Sequence, residues 1–488
     1  MGVLSNLEPQ VVFDYFEQIC GIPHGSSNTK QISDYLVDFA KARGLWYRQD
    51  EANNVIIKKP GTAGFEQSAP VIIQGHMDMV CEKEPGCEID FEKDGLDLAV
   101  DGNFVYAKGT TLGGDDGIAV AFALAILDDK GTIEHPPIEA VFTVDEEIGL
   151  LGAAALDCTD LDGKYFLNLD SEEEGHLLVS CAGGATVDID LPITYENEAK
   201  WYTTEISVVG ATGGHSGVEI IKQGANASKV LGNILVSLDA ALDLHIVSVT
   251  GGKKDNVIPK ESSVKIAVSS KETIENIMQF LQQFSAIIKD EYATSDPEIK
   301  ITLASCKEET VAVMSQDSQE RLEQILMTVP NGIIRMSSDI EGLVQTSLNL
   351  GILETTVGAD AKVKYGFSVR SSVSTEKQML IEQLQSIGRM LGANVSVAGE
   401  YPAWEYKKDS KLRSLMVQIY KDMYGEEPVV EAIHAGLECG LFSDKIKDLD
   451  CVSYGPWIYD IHTAKERLQI DSVKRTWEYT LEVLKNLK

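Results

Sequence analysis

The sequence predicts an α/β fold with a mainly parallel central sheet. Helical periodicity at 29–43 and 118–127 alternates with short runs whose β-branched and aromatic residues are typical of buried strands, at 55–57, 71–73, 137–142 and 165–169. Alternation of this kind is characteristic of parallel sheets covered by helices. The functional groups of such a domain are expected beyond the carboxyl ends of its strands.

A second pattern begins near residue 185. Residues 186–193 and 204–209 alternate apolar and polar side chains, as half-exposed strands do. The segments 263–270 and 363–372 each resemble a strand with a serine-rich end followed by an amphipathic helix. This echo predicts an inserted α+β domain made of two repeated units. Coincidence between two common strand-to-helix patterns is the alternative.

Length, charge and cysteine usage exclude several classes of protein. A chain of 488 residues exceeds one ordinary core, so at least two domains are expected. The net charge of −34, from 42 basic and 76 acidic residues, argues against nucleic acid or an anionic membrane as partner. The first ten residues lack a signal peptide pattern, and no apolar run has the length of a membrane span. Eight scattered cysteines without a CxxC pair favour reduced thiols in the cytoplasm.

An acidic triplet, Asp145, Glu146 and Glu147, follows the apolar strand at 137–142. Carboxylates in a partly buried cleft must be neutralised by protons, cations or hydrogen bonds. One interpretation is a solvated acidic turn. The other is that one glutamate binds a metal while its neighbour acts as a general base.

A glycine-rich loop at 109–117 opens into the helix at 118–127. Such loops often bind phosphate groups. This loop contains no lysine and carries Asp115 and Asp116, which would repel a phosphate. The sequence therefore argues against a nucleotide site.

The candidate metal ligands are carboxylates and imidazoles spread along the chain: His76, Asp115, Glu147, Asp170 and His462. A hydrolytic site with two metal ions needs a bridging carboxylate and further N or O ligands for each ion. Asp78 stands two residues after His76, so in an extended segment both side chains leave the same face. We expect Asp78 to orient the His76 ring. Taken singly, each residue is more simply a surface histidine, a helix cap or part of an acidic loop.

Several motifs in order along the chain resemble the signature of the M20 metallopeptidases. They are GHMDMV (75–80), TLGGDDGIA (111–119), TVDEEIGL (143–150), NLDSEE (168–173), GGHSG (213–217), NVIP (256–259), HAGLECG (434–440) and DIHTAKE (460–466). The resemblance is greatest to the aminoacyl-histidine dipeptidase branch, M20C, because DDG at 115–117 lacks the lysine that most other branches carry after the second acid.

The resemblance implies a zinc-peptidase catalytic domain with two Zn²⁺ ions per chain, for which Mn²⁺ or Co²⁺ are alternatives. Asp115 would bridge the ions, His76 and Asp170 would complete one site, and Glu147 and His462 the other. Glu146 would be the general base, and Asp78 would orient His76. A cis peptide bond is implied between Asp115 and Asp116.

The resemblance also implies that the insert is a lid domain at 187–397, within a catalytic domain formed by 1–186 and 398–488. His215 would stabilise the oxyanion of the tetrahedral intermediate. Asn256, Arg370 and the backbone of Gly436 would bind the substrate's carboxylate and peptide unit. Gln223 stands where many relatives have a basic residue, so substrate contacts there are expected to differ.

The function implied is zinc-dependent hydrolysis of small peptide substrates, dipeptides of the Xaa-His type or a broader range, by metal-bound water with Glu146 as base. An N-acyl amino-acid amidohydrolase or a carboxypeptidase on the same scaffold is the alternative. A zinc-binding module without catalysis is disfavoured by the presence of Glu146. We expect a cytoplasmic protein with no nucleic-acid or membrane partner, and a homodimer is left open.

Overall fold

The computed structural model describes residues 2–488. The helices are α1 Gln10–Cys20, α2 Lys30–Arg43, α3 Gly114–Asp128, α4 Leu151–Ala155, α5 Ala227–Asp239, α6 Lys271–Glu291, α7 Gln316–Thr328, α8 Ser374–Met390, α9 Lys411–Tyr424, α10 Glu438–Lys445 and α11 Ile470–Asn486. Within the described chain, no helix combines the length and apolar composition that crossing a membrane would require.

The first twelve strands are β1 Trp46–Gln49, β2 Val55–Lys59, β3 Val71–His76, β4 Leu98–Asp101, β5 Phe104–Ala107, β6 Ile138–Thr143, β7 Tyr165–Asn168, β8 His176–Cys181, β9 Gly183–Pro192, β10 Ala199–Val209, β11 Gly214–His215 and β12 His245–Gly251. The second twelve are β13 Val257–Ile258, β14 Ser262–Val268, β15 Lys300–Leu303, β16 Lys307–Val311, β17 Gly332–Met336, β18 Val344–Thr356, β19 Lys362–Ser371, β20 Asn394–Tyr401, β21 Val429–Ile433, β22 Asp450–Ser453, β23 Ile458–Tyr459 and β24 Arg467–Gln469.

The chain forms two compact units. Unit 1 comprises the described chain up to Cys181 together with Tyr406–Ala432 and Leu437–Lys488, and unit 2 comprises Ala182–Glu405 and Ile433–Gly436. The junctions expected from the sequence, 186/187 and 397/398, lie inside β9 and β20.

Unit 1 contains an eight-stranded mixed sheet in the order β1-β2-β6-β3-β7-β22-β8-β21. Its middle is parallel, since β6, β3, β7 and β22 pair in one direction, and antiparallel pairs flank it. The α/β class predicted from the sequence is therefore confirmed. A separate four-stranded sheet has the order β23-β24-β5-β4, which the sequence did not predict.

Helix α3 lies at the centre of the unit 1 core. Its residues from Gly114 to Leu127 are all buried, and it packs against α1 and β3. The helix approaches β3 closely because position 75 is glycine. A Cβ atom there would lie 2.4 Å from the Cβ of Ala119 and 2.5 Å from Oδ2 of Asp116. This contact brings the start of α3 to the carboxyl end of β3.

Unit 2 is built around a long antiparallel sheet in the order β15-β10-β14-β12-β18-β19-β9-β20. The helix-strand-strand-helix series α5-β12-β14-α6 returns as α7-β18-β19-α8, and β12 pairs with β18 at the middle of the sheet. The strand-to-helix echo in the sequence corresponds to β14-α6 and β19-α8. The inserted α+β domain with two repeated units is thus confirmed as a fold.

Candidate metal centre

The five predicted ligands lie together in unit 1. His76 is the last residue of β3, Glu147 follows β6, Asp170 follows β7, Asp115 is in the first turn of α3, and His462 follows β23. Because β3, β6 and β7 are parallel neighbours, their carboxyl ends meet at one edge of the sheet. Long-range packing adds Asp115 and His462 to that edge.

Asp115 is the central residue of the cluster. Its Oδ1 lies 3.1 Å from Nε2 of His76, and its Oδ2 lies 3.2 Å from Nε2 of His462. Each imidazole also faces a second carboxylate, with 3.5 Å from His76 to Asp170 Oδ1 and 3.0 Å from His462 to Glu147 Oε2. One carboxylate therefore stands between two separate sets of ligand atoms.

The peptide bond between Asp115 and Asp116 is cis, as the resemblance implies. Asp116 is buried, and its Oδ2 accepts a hydrogen bond from the backbone N–H of His76 at 3.2 Å. Asp116 also lies within 4.8 Å of ligand atoms of His76 and Asp170. The two acids that follow the glycines thus have different surroundings.

The donor set fits divalent cations. Three carboxylates and two imidazoles provide hard oxygen and borderline nitrogen ligands, a set suited to zinc and similar ions. His76 and Glu147 are almost fully buried, so their charges need partners close by. Two dications would carry four positive charges against the three negative charges of the carboxylates, and they would displace protons from the imidazoles.

The pKa values of the two histidines reflect the excess of negative charge in the cluster. Burial by itself would lower the pKa of His76, but the Asp170 and Asp115 carboxylates outweigh it and hold that pKa well above its ordinary value. Hydrogen bonds to Asp115 and Glu147 raise the pKa of His462 to about 10. The carboxylates therefore make both imidazoles bind a proton more strongly than usual, as expected where negative charge is in excess.

Glu146 adjoins the ligands without belonging to either set around Asp115. One carboxylate oxygen of Glu146 lies within 4.8 Å of a ring nitrogen of His76 and of a carboxylate oxygen of Glu147. Burial, together with the nearby Asp170 and Glu438 carboxylates, raises its pKa well above the ordinary value. A carboxylate in this position can exchange a proton with a neighbouring group.

Asp78 contacts His76 in a different way from the one expected. The Nδ1 atom of His76 lies 2.9 Å from the backbone carbonyl oxygen of Asp78 and 3.5 Å from its carboxylate. The backbone carbonyl thus accepts the Nδ1 proton and leaves Nε2 for a metal. The Asp78 carboxylate accepts hydrogen bonds from Ser26 Oγ at 2.8 Å and from the backbone N–H of Glu146 at 3.1 Å.

Asp145, for which sequence reasoning found no role, has a structural contact. It has a left-handed backbone with φ 54°, and its Oδ1 accepts the backbone N–H of Ser27 at 2.6 Å. Ser27 directly follows Ser26, which donates to Asp78. Asp145 therefore helps to hold the loop beside the Asp78 carboxylate.

Two buried glutamates near the cluster were missed. Glu466 accepts backbone N–H groups from the four residues Leu112, Gly113, Gly114 and Asp115. Glu438 is fully buried and accepts hydrogen bonds from Gln74 in β3 and from Thr143 at the end of β6. Glu438 belongs to the motif HAGLECG and Glu466 to the motif DIHTAKE. Local periodicity in the sequence does not predict a partner for either residue.

The residues expected to bind substrate all belong to unit 2. His215 in β11 pairs with Val257 in β13, next to Asn256, and its Nε2 lies 3.5 Å from Nη2 of Arg370. Gly436 belongs to the short segment 433–436 of the same unit. Gln223 has a left-handed backbone and lines a cavity of about 440 Å³ elsewhere in unit 2.

Comparison with known proteins identifies the class. Residues 72–486 match the model of peptidase family M20/M25/M40. The chain is 36% identical over 488 residues to the cytosol non-specific dipeptidase of Escherichia coli strain K12, covering 100% of this chain and 99% of that protein. It resembles the crystal structure of aminoacylhistidine dipeptidase from Vibrio alginolyticus with a TM-score of 0.92 and 36% identity, over 99% of this chain and 97% of that one.

A more distant structure, the aminopeptidase PepT of Bacillus cereus ATCC 10987, has a TM-score of 0.60 at 16% identity over 99% of both chains and shares the fold. The fold and these relatives define a hydrolase that acts on peptide bonds. The chain belongs to peptidase family M20.

Proposed function

We propose that this chain is a dipeptidase that uses two divalent cations, with zinc as the expected metal. The position of Asp115 carries the proposal, because its two oxygens face His76 at 3.1 Å and His462 at 3.2 Å. One bridging carboxylate with two outer ligand pairs is what a two-metal hydrolytic site requires. Cations held there would polarise the scissile carbonyl group and lower the pKa of the attacking water.

Glu146 is the proposed general base. It removes a proton from the water as the oxygen attacks the carbonyl carbon, and it later delivers that proton to the leaving amine. Its burial and its acidic neighbours raise its affinity for a proton, which suits a group that must accept and then release one. Asp78 holds the backbone N–H of Glu146 and so positions the base.

Unit 2 is the proposed substrate-binding unit. His215 would donate to the oxyanion of the tetrahedral intermediate, and Arg370 would bind the free carboxylate of the dipeptide. Asn256 and the Gly436 backbone would bind the peptide unit. The sequence match to the family supports these roles.

The proposed substrates are unblocked dipeptides, including those with C-terminal histidine. The two similar relatives have names of different breadth, since one is called non-specific and the other an aminoacylhistidine dipeptidase. We therefore propose a broad dipeptidase that accepts Xaa-His. A cytoplasmic location is proposed with it, supported by the name of the Escherichia coli relative and by the lack of a disulfide among the described cysteines.

The test is a substrate panel on the full chain after chelation and reloading with zinc, manganese or cobalt. The panel contains Gly-His, β-Ala-His and Ala-Leu, their Nα-acetyl forms, and a tripeptide. Cleavage of the free dipeptides, dependent on about two equivalents of metal, is expected. Cleavage of only the acetylated compounds would identify an acyl amidohydrolase, and cleavage of longer peptides at the C-terminus a carboxypeptidase.

A further inference from the structure

Four residues form a row across the unit 2 sheet. In β20, Tyr401 pairs with Gly184 of β9; Gly184 pairs with Arg370 of β19; and Arg370 pairs with Ser347 of β18. Directly paired residues of antiparallel strands place their side chains on the same face. The row therefore sets Arg370 between Tyr401 on one side and Ser347 on the other.

Tyr401 occupies the space that Gly184 leaves open. A Cβ atom at position 184 would lie 2.5 Å from the Tyr401 hydroxyl oxygen and 2.6 Å from its Cζ. The hydroxyl oxygen accepts a hydrogen bond from Nη1 of Arg370 at 3.1 Å. Tyr401 thus fixes one arm of the guanidinium group and is a positioning residue.

His434 completes the row at the opposite end. Its Nε2 lies 2.8 Å from Oγ of Ser347, and its side chain is buried, with the residue 7% exposed. Burial and the positive charge of Arg370 lower the pKa of His434 to about 3, and the same two causes lower the pKa of His215. Arg370 therefore has two neutral imidazoles near it.

Arg370 is a buried cation without an ionic partner. It is 8% exposed, and no carboxylate among residues 2–488 forms an ion pair with it. Buried charges in proteins are normally paired. Its Nε and the Nδ1 of His434 are also buried and have no hydrogen-bond partner in the described chain.

A carboxylate would satisfy these groups together. It carries one negative charge against the single charge of Arg370, and its two oxygens can accept from two donors. A neutral imidazole has one donor and one acceptor nitrogen, so His434 can donate from Nδ1 only when Nε2 accepts the Ser347 hydroxyl proton. The contact with Ser347 permits this tautomer.

We propose that His434 is a substrate-binding residue that donates from Nδ1 to the α-carboxylate of the C-terminal residue of the dipeptide, beside Arg370. Ser347 sets the tautomer of His434, and Tyr401 positions Arg370. This inference rests on the proposed dipeptidase function and adds two residues, His434 and Tyr401, to the recognition of a free C-terminus.

The experiment compares three substitutions of His434 on the zinc-loaded full chain. His434→Asn keeps a donor near the Nδ1 position, His434→Gln keeps a polar group near the Nε2 position, and His434→Leu keeps neither. For a free-acid dipeptide, KM is expected to rise roughly 10- to 100-fold in the Gln and Leu variants and only a few-fold in the Asn variant, with kcat nearly unchanged. For the C-terminal amide of the same dipeptide, the three variants should have KM values close to wild type.

Two further variants separate binding from structure. Ser347→Ala should raise KM for the free acid by a smaller factor, and its effect should nearly disappear in combination with His434→Leu. His245→Leu alters a partly buried histidine of β12 that packs on Trp201, and it should leave KM unchanged.

The outcomes distinguish the two hypotheses. If wild type cleaves the dipeptide while the His434 variants affect acid and amide equally, or while Asn and Gln behave alike, the carboxylate role of His434 is wrong and the dipeptidase function stands. If the metal-loaded wild type cleaves no dipeptide, the proposed function is wrong and this inference falls with it. Should the Leu variant fail to fold, the Asn and Gln pair decides the question.

Discussion

The carboxylate of Glu466 accepts the backbone N–H of Gly114 at 2.8 Å, although the two residues are 352 positions apart in the sequence. The same carboxylate accepts the N–H groups on either side of Gly114, including that of Asp115 at 3.3 Å. Glu466 follows His462 by four residues. One chain segment therefore provides a candidate ligand and also holds the loop that carries the bridging acid.

Glu466→Ala should weaken metal binding and lower stability. It would leave four backbone N–H groups at the start of α3 without their acceptor, which costs on the order of 3 kcal/mol. Zinc titration calorimetry and thermal melting measure the two effects. Glu466→Gln should lie between alanine and wild type because one acceptor oxygen remains.

The matched control for Glu466 is Glu478→Ala, an exposed glutamate on α11 that lies near Lys474. This variant should keep wild-type zinc affinity and melting temperature. Equal zinc affinity in Glu466→Ala and Glu478→Ala would show that Glu466 does not position the ligands.

Glu146→Gln should retain about two equivalents of metal and lose activity. The change removes the proton-accepting carboxylate and keeps the size of the side chain, so a general base contributing roughly 10²- to 10⁴-fold would be lost in kcat. Metal analysis and steady-state kinetics on the same preparation check both parts. Turnover near that of wild type would remove Glu146 from its role.

His462→Ala should lose or weaken one metal, because His462 faces only the Asp115 and Glu147 side of the cluster. The expected content after dialysis is about one equivalent by elemental analysis. His176→Ala is the control, since His176 also contacts two glutamates, Glu173 and Glu431, but lies outside the cluster. Full metal content in His462→Ala, or a loss in His176→Ala, would contradict the assignment.

The sequence could predict the ligands that lie at the carboxyl ends of the parallel strands. His76, Glu147 and Asp170 each follow an apolar run, and parallel strands bring such positions to a common edge. Local patterns are sufficient for that step. The repeated units of unit 2 were predictable for the same reason, since each strand-to-helix segment has its own periodicity.

The contacts that the sequence could not provide are long-range. Glu466 is recognisable as a binding group for the 112–115 loop only after the four-stranded sheet of β4, β5, β23 and β24 has placed it there. The row from Tyr401 to Ser347 depends on the register of four strands, which no local pattern specifies. The two-residue spacing predicted that Asp78 lies beside the His76 ring. It did not predict that the backbone carbonyl oxygen of Asp78, rather than its carboxylate, makes the shorter contact with Nδ1 of His76.

Glu323 on α7 is a buried acid in the core of unit 2. It is 8% exposed, its Oε1 has no hydrogen-bond partner within residues 2–488, and burial with the nearby Asp239 and Glu320 raises its pKa to about 7. The folded chain therefore holds a proton that the unfolded chain releases near pH 4.5, so stability is expected to fall as pH rises from about 4.5 to 7.

Glu323→Gln should remove this loss and make the protein more stable than wild type at pH 8, by on the order of 2 kcal/mol, with little difference at pH 4.5. Urea unfolding midpoints at the two pH values measure it, with the exposed Glu275→Gln on α6 as control. A difference between Glu323→Gln and wild type that does not change with pH would contradict the raised pKa.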